Sequence, residues 1–144
     1  MTWTTPKTDW AVRRDEDGNY LGDYFNLADY NRITGNMRHL QTIAAEVFGA
    51  DTDRVFAEKT YSSYYYAADV NAITGTLNDL AEQTHAVVSG TFPTYAGNQG
   101  FPDYVMLNRI ESAQLAYYNM INATKSIQRR LAFNLGRPTL GNRY

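Results

Sequence analysis

The chain has 144 residues, 44% of them hydrophobic and 19% charged, the balance of one compact globular domain and not of a disordered chain. It has no cysteine, which excludes disulfides, thiolate metal centres and cysteine nucleophiles. Residues 1–10 lack the apolar core of a signal peptide and no apolar run is long enough to span a bilayer, so a soluble protein without membrane contact is expected.

The net charge of −2 is unevenly placed. Residues 112–144 hold Lys125, Arg129, Arg130, Arg137 and Arg143 and no acid, a charge of +5 against −7 for the remainder. Such polarity suits head-to-tail assembly or an arm on nucleic acid, while Arg129 and Arg130 taken alone are ordinary at the C-terminal end of a helix. Twelve tyrosines against six Phe and two Trp are the compositional anomaly. Tyr joins a large apolar body to a polar tip, which fits half-buried surfaces and protein interfaces.

Residues 1–23 do not read as helix. Pro6 imposes an extended or turning backbone among Thr and Trp residues. Asp15-Glu16-Asp17-Gly18-Asn19 is a turn signal between Trp10-Ala11-Val12 and Tyr20-Leu21, so a small hairpin or structured arm is expected. The oxygens of Asp15, Asp17, Asn19 and Asp23 invite a calcium reading, but Gly18 is fourth from Asp15 where a calcium loop needs its glycine sixth. A plain turn is the expectation.

The first helix should start at Asn26, with Asp29 three residues on as a capping box. Tyr30, Ile33, Met37, Leu40, Ala44 and Val47 then recur at alternating steps of three and four, and Gly49 ends the run. Thr52 to Lys59 reads as a short helical turn or a loop. From Tyr64 the chain restates the stretch that began at Tyr24: in a gapless register displaced by 40, eight of 17 positions are identical, among them Asp29/Asp69, Asn31/Asn71, Ile33/Ile73 and Gly35/Gly75. The stripe returns at Val70, Ile73, Leu77, Leu80, Thr84 and Val87. Residues 89–102, with three Gly and two Pro, form a connector. A third helix is expected from the Asp103 cap to about Asn134, stopped by Gly136-Arg137-Pro138, and Asn108-Arg109-Ile110 in it answers Asn31-Arg32-Ile33.

The fold expected is therefore all-α: a three-helix bundle built from a repeated helical unit (about 24–49, 64–89 and 101–135), with a non-helical N-terminal arm or hairpin in residues 1–23 and a C-terminal arm in residues 136–144. Glycine inside a helix costs about 1 kcal/mol relative to Ala, so Gly35 and Gly75 are expected where neighbouring helices approach closely. Asn31, Asn71 and Asn108 lie near the helix starts, and as buried amides they need partners, most simply backbone groups of an adjacent unit.

No catalytic apparatus is visible. His39 and His85 have no metal-type ligand at i+3 or i+4, and Glu46, Glu58, Glu82 and Glu111 stand isolated. No phosphate loop, nucleophile elbow or HExxH motif occurs. No catalytic residue, cofactor or metal is expected.

Pro6-Lys7-Thr8-Asp9-Trp10, followed by Tyr24-Phe25-Asn26 and Asp29-Tyr30-Asn31-Arg32-Ile33, resembles small virion structural proteins of phages and prophages of Gram-positive bacteria, in which a PKTDW-type start precedes a DYNRI-type helix. The resemblance covers the first third of the chain. It implies a docking arm at PKTDW, a packing helix after it, and a place in the virion after assembly in the host cytoplasm. The second copy departs from the pattern at Asp69-Val70-Asn71-Ala72-Ile73, and the third has Met106 in place of the Asp. Trp3 and Trp10 are interface anchors by type. The expectation is a non-enzymatic virion subunit of a tail, baseplate, neck or fibre attachment, whose partners are itself and other virion proteins, with nucleic acid not expected. Its interface candidates are Trp3, Trp10, Asn31, Arg32, Asn71, Asn108, Arg109, Arg137, Arg143 and Tyr144. The alternative is a bacterial helical binding or adaptor module.

Overall fold

Three helices carry the structure, a computed structural model that describes residues 3–86, 90–97 and 102–135: α1 (Leu27–Phe48), α2 (Ala67–Thr84) and α3 (Tyr104–Leu135). Each begins where its sequence can satisfy the free N–H groups of a first turn. The Asn26 side chain accepts from the Asp29 N–H at 3.1 Å while the Asp29 carboxylate accepts from the Asn26 N–H at 3.0 Å. Asp69 accepts from the Tyr66 N–H at 2.7 Å, and Asp103 accepts from the Met106 N–H at 2.9 Å. Gly49, at φ +66°, closes α1 in the left-handed conformation that glycine adopts without strain. His85 closes α2 in the same conformation, at φ +57°. The second helix thus ends at Thr84, and Val87, expected to continue its stripe, lies outside the described residues.

The apolar stripes meet in one core. Met37, Leu40, Leu80 and Ile121 are fully enclosed, with Ile33, Leu77, Ile110 and Tyr117 beside them. The helices run parallel. Arg32 and Glu46 of α1 pair with Glu111 and Lys125 of α3, in the same order along both helices. Between α1 and α2 the chain returns along both: residues 52, 56 and 57 meet Gln41, Arg38 and Tyr30, and residues 51, 54 and 59 meet Gln83, Asp79 and Asp69. Parallel neighbours cannot be joined by tight turns, so each connector must travel back the length of a helix.

Those return segments are extended, and they fill the grooves. Residues 51–57 lie between α1 and α2, residues 91–95 between α2 and α3, and residues 3–10 between α3 and α1. Thr52 to Lys59 is accordingly loop and not a helical turn. One aromatic plugs each groove: Phe56, Phe92 and Trp10, all 4% exposed. A cation stands over each ring, Arg38 at 5.7 Å from Phe56, Arg109 at 4.2 Å from Phe92, and Lys7 at 5.4 Å from Trp10. Each such contact contributes roughly 0.5–1 kcal/mol at a partly exposed site.

Beyond the N-terminal groove segment, residues 11–23 form a small hairpin whose bridge joins Arg14 and Tyr20, the only strand-type pairing among the described residues. The Asp15 carboxylate accepts from the N–H groups of Asp17 and Asn19, at 3.0 and 2.8 Å, and Gly18 supplies a φ of +82°. The acid that suggested calcium is here a turn-capping group. Gly22 is required by contact, since a Cβ would lie 2.5 Å from the Ala11 carbonyl oxygen.

The two helix glycines overturn their expected role. A Cβ on Gly35 would meet nothing within 4 Å, and one on Gly75 would meet the Arg54 guanidinium at 2.6 Å. Neither position is a helix–helix contact. Gly75 makes room for the Arg54 side chain on its way to Asp79, 2.8 Å away.

Candidate functional site

An extended segment in a groove has no strand partner, so its backbone N–H and C=O groups need another source of hydrogen bonds. Asparagine side chains supply them, because an amide side chain offers one acceptor and one donor in the geometry of a peptide group. Asn108 accepts from the Trp10 N–H at 2.7 Å and donates to the Trp10 carbonyl at 3.0 Å. Asn71 does the same to Tyr95, at 2.7 and 2.8 Å. Asn36 holds Thr4 and Asn78 holds Phe92 in the same two-point manner. Gln41 donates to the carbonyls of Thr52 and Arg54.

Two of the three motif asparagines therefore bind the backbone of an adjacent segment, as expected. Asn31 does not: it is exposed on the outer side of α1, and the corresponding return segment is held instead by the Tyr30 hydroxyl on the Ala57 carbonyl at 2.6 Å. Asn36 and Asn78 were not singled out from the sequence. Their signal was a lone amide beside the apolar stripe, at Met37 and Leu77.

The second polar centre is Glu111, which has no solvent exposure. Its carboxylate accepts from the Lys7 N–H at 2.9 Å, from the Trp10 indole N–H at 2.6 Å, and from Arg32 through Nε and Nη2 at 2.8 and 2.9 Å. Arg32 also reaches Asp29 at 2.7 Å. Burial disfavours the Arg32 cation, but its bonds to Glu111 and Asp29 outweigh that and raise its pKa. Both the expected anchor Trp10 and the expected interface cation Arg32 thus find partners inside the chain. Glu111 was legible as a charged residue in stripe register with Leu107, Gln114 and Ile121.

The remaining interface candidates divide in two groups. Trp3 stacks on Tyr118 with centroids 4.1 Å apart and planes 8° apart, with His39 at 5.7 Å from both rings. Arg109 donates to the Thr91 carbonyl at 2.8 Å while covering Phe92. Arg137, Arg143 and Tyr144 lie outside the described residues.

At the end of the molecule where the helices begin, a cavity of about 470 Å³ opens between the hairpin and α3, lined by Val12, Arg14, Tyr20, Tyr24, Asp103 and Tyr104. The hydroxyls of Tyr20 and Tyr104 meet each other at 2.7 Å and converge on the Asp23 carbonyl. Removal from water, reinforced by the Tyr104 hydroxyl, pushes the Tyr20 hydroxyl up to about 12. At the opposite end α3 outruns the bundle: residues 126–132 are all exposed, with Ile127 and Leu131 each at 55%.

Among the described residues no three His, Asp or Glu side chains are grouped to hold a metal ion, and no helix is long and apolar enough to cross a membrane. No protein-family model, curated protein or solved structure matches the chain.

Proposed function

We propose that this chain is a non-enzymatic structural subunit of a phage virion, in a tail, baseplate, neck or fibre attachment. In this reading one unit, an extended segment followed by a helix, is used three times, and the subunit works by associating with itself and with other virion proteins. The observation that carries it is the saturation of Glu111. A carboxylate has about four lone-pair sites, and four donors from three residues, Lys7 and Trp10 of the N-terminal segment and Arg32 of α1, occupy them, leaving no capacity to take a proton from a substrate. The motif asparagines 71 and 108 are likewise committed to the chain's own backbone. The resemblance of PKTDW and DYNRI to virion proteins supports the same role, with the PKTDW segment serving to complete its own bundle.

Mass photometry of the purified chain across a concentration series tests this. Oligomers that grow with concentration, or stable complexes with the proteins encoded beside it, are the expected result. A monomer throughout that retains none of those proteins overturns the reading. A salt-sensitive complex with DNA, lost when Arg129 and Arg130 are replaced by Ala, favours the adaptor module instead.

A further inference from the structure

The groove between α3 and α1 treats residues 3–10 as a peptide-binding site treats its ligand. It holds the segment at three backbone positions and by two rings. Asn36 pairs with the backbone of Thr4, Glu111 accepts from the Lys7 N–H, and Asn108 pairs with the backbone of Trp10. These positions are three residues apart, the repeat of a polyproline II chain, and Pro6 favours that conformation. The Trp10 ring is enclosed with its indole N–H on Glu111, and Trp3 lies flat on Tyr118. Four of the residues that the sequence marks as interface candidates, Trp3, Trp10, Arg32 and Asn108, meet in this one groove. Trp and Arg in enclosed pockets carry most of the binding energy at protein interfaces.

None of these contacts depends on segment and groove belonging to one chain. What joins them is the stretch from Ala11 to Phe25, whose one regular pairing among the described residues is the bridge between Arg14 and Tyr20. A two-stranded hairpin is marginally stable by itself, and beyond its own turn this one leans on the Tyr20–Tyr104 contact. Opened, residues 11–25 reach about 50 Å, roughly twice the breadth of three packed helices. That is far enough for the segment to cross to a neighbour.

We propose that copies of this chain associate by exchanging residues 3–10. The hairpin opens into a tether, and the α3/α1 groove of one copy takes the segment of the next. The proposal rests on the reading of the chain as a self-associating subunit and names the surface it uses. The closed and exchanged forms share every groove contact, so concentration and the stability of the hairpin decide between them. Mutual exchange closes a dimer, and exchange passed along in one direction closes a ring or extends a filament.

Because the chain has no cysteine, introduced thiols report the exchange directly. Thr4→Cys places one on the segment, and Asn36→Cys places one at its partner in the groove. Circular dichroism checks the fold of each full-length variant, and the two are then mixed across a concentration series and oxidised. Disulfide-linked pairs of one Thr4→Cys chain with one Asn36→Cys chain are expected. Their yield should follow the multimer fraction of the unaltered chain in sedimentation velocity. A third variant, Asp15→Ala, works without touching the groove. It removes the turn's bonds to Asp17 and Asn19 and so favours the open tether. It should lower the half-assembly concentration about fivefold or more. Multimers of the unaltered chain without mixed disulfide pairs overturn the proposal. So does assembly that Asp15→Ala leaves unchanged or weakens. Either result leaves self-association standing through another surface. An unaltered chain that is monomeric throughout overturns the self-associating reading as well.

Discussion

At the scale of single residues, one sequence motif does two different jobs. Asn31, Asn71 and Asn108 share a motif position, yet only the last two hold a backbone segment. Asn108→Leu strands the N–H and C=O of Trp10, each of which costs about 1–3 kcal/mol when left unpaired. Urea unfolding should therefore show a loss of about 2 kcal/mol or more for Asn108→Leu. Asn31→Ala, at an exposed site, should stay within about 0.5 kcal/mol of the unaltered chain. Gly35 is the converse case. Nothing surrounds its missing Cβ, so Gly35→Ala should stabilise the protein by about 1 kcal/mol through helix propensity alone. A loss of stability on that change would mean that α1 is approached by a neighbour at Gly35 after all. Gly75→Ala must displace the Arg54 guanidinium and should gain less.

At the scale of elements, the helices are alike at their starts and unlike at their ends. Acidic residues at Asp29, Asp69 and Asp103 satisfy first-turn or preceding N–H groups in all three. Parallel packing sets like ends of the helix dipoles side by side, and acids at the N-terminal ends relieve that repulsion. At the C-terminal ends α1 has Gly49 in the left-handed conformation, whereas α2 holds His85 there, where a Cβ costs about 1–2 kcal/mol. His85→Gly should raise the thermal midpoint, and Gly49→Ala should lower it. Equal midpoints for His85→Gly and the unaltered chain would show that the imidazole compensates its own strain. The return segments are elements in their own right. With Phe56, Phe92 or Trp10 as plug and amide side chains as ladder, each works as a strand whose partner is a pair of helices.

At the scale of the molecule, the N-terminal segment closes the third groove as the two connectors close the first two. Glu111, 101 to 104 residues away in sequence, and Asn36, 32 residues away, hold it in place. Trp10→Ala should cost about 3–5 kcal/mol, the range for deleting a buried large aromatic. The loss should appear in the cooperative unfolding of all three helices and not of the hairpin alone. Alkaline pH tests the packing from another side. Withdrawal from water holds the Tyr20 and Tyr30 hydroxyls near 12, against about 10 in an unfolded chain. The folded state keeps these protons more tightly, so their contribution is complete below pH 10 and is lost as pH rises towards 12. Burial raises the Tyr65 and Tyr95 hydroxyls as well, so phenolate absorbance should show Tyr20 and Tyr30 among several late-titrating tyrosines, with unfolding setting in over the same interval.

Helix existence and register, both ends of α1 and the start of α3 were determined by the sequence alone, whereas the end of α2 at Thr84 was not. Caps such as Asn26–Asp29 and Asp103, the stop at Gly49 and the three apolar stripes are set by residues within one or two turns of each other, and short-range geometry is the same in any context. So was the turn at Asp15 to Asn19, whose hydrogen bonds are local. Only the tertiary structure decided that the helices run parallel, that extended segments line the grooves, and that Gly35 and Gly75 face no helix. It also decided that Glu111, isolated in the sequence, collects Lys7, Trp10 and Arg32 from 79 to 104 residues away. Those outcomes depend on which backbone groups are left without partners once the helices pack. Residue spacing does not encode that quantity, because it arises only when distant segments are brought to the same groove.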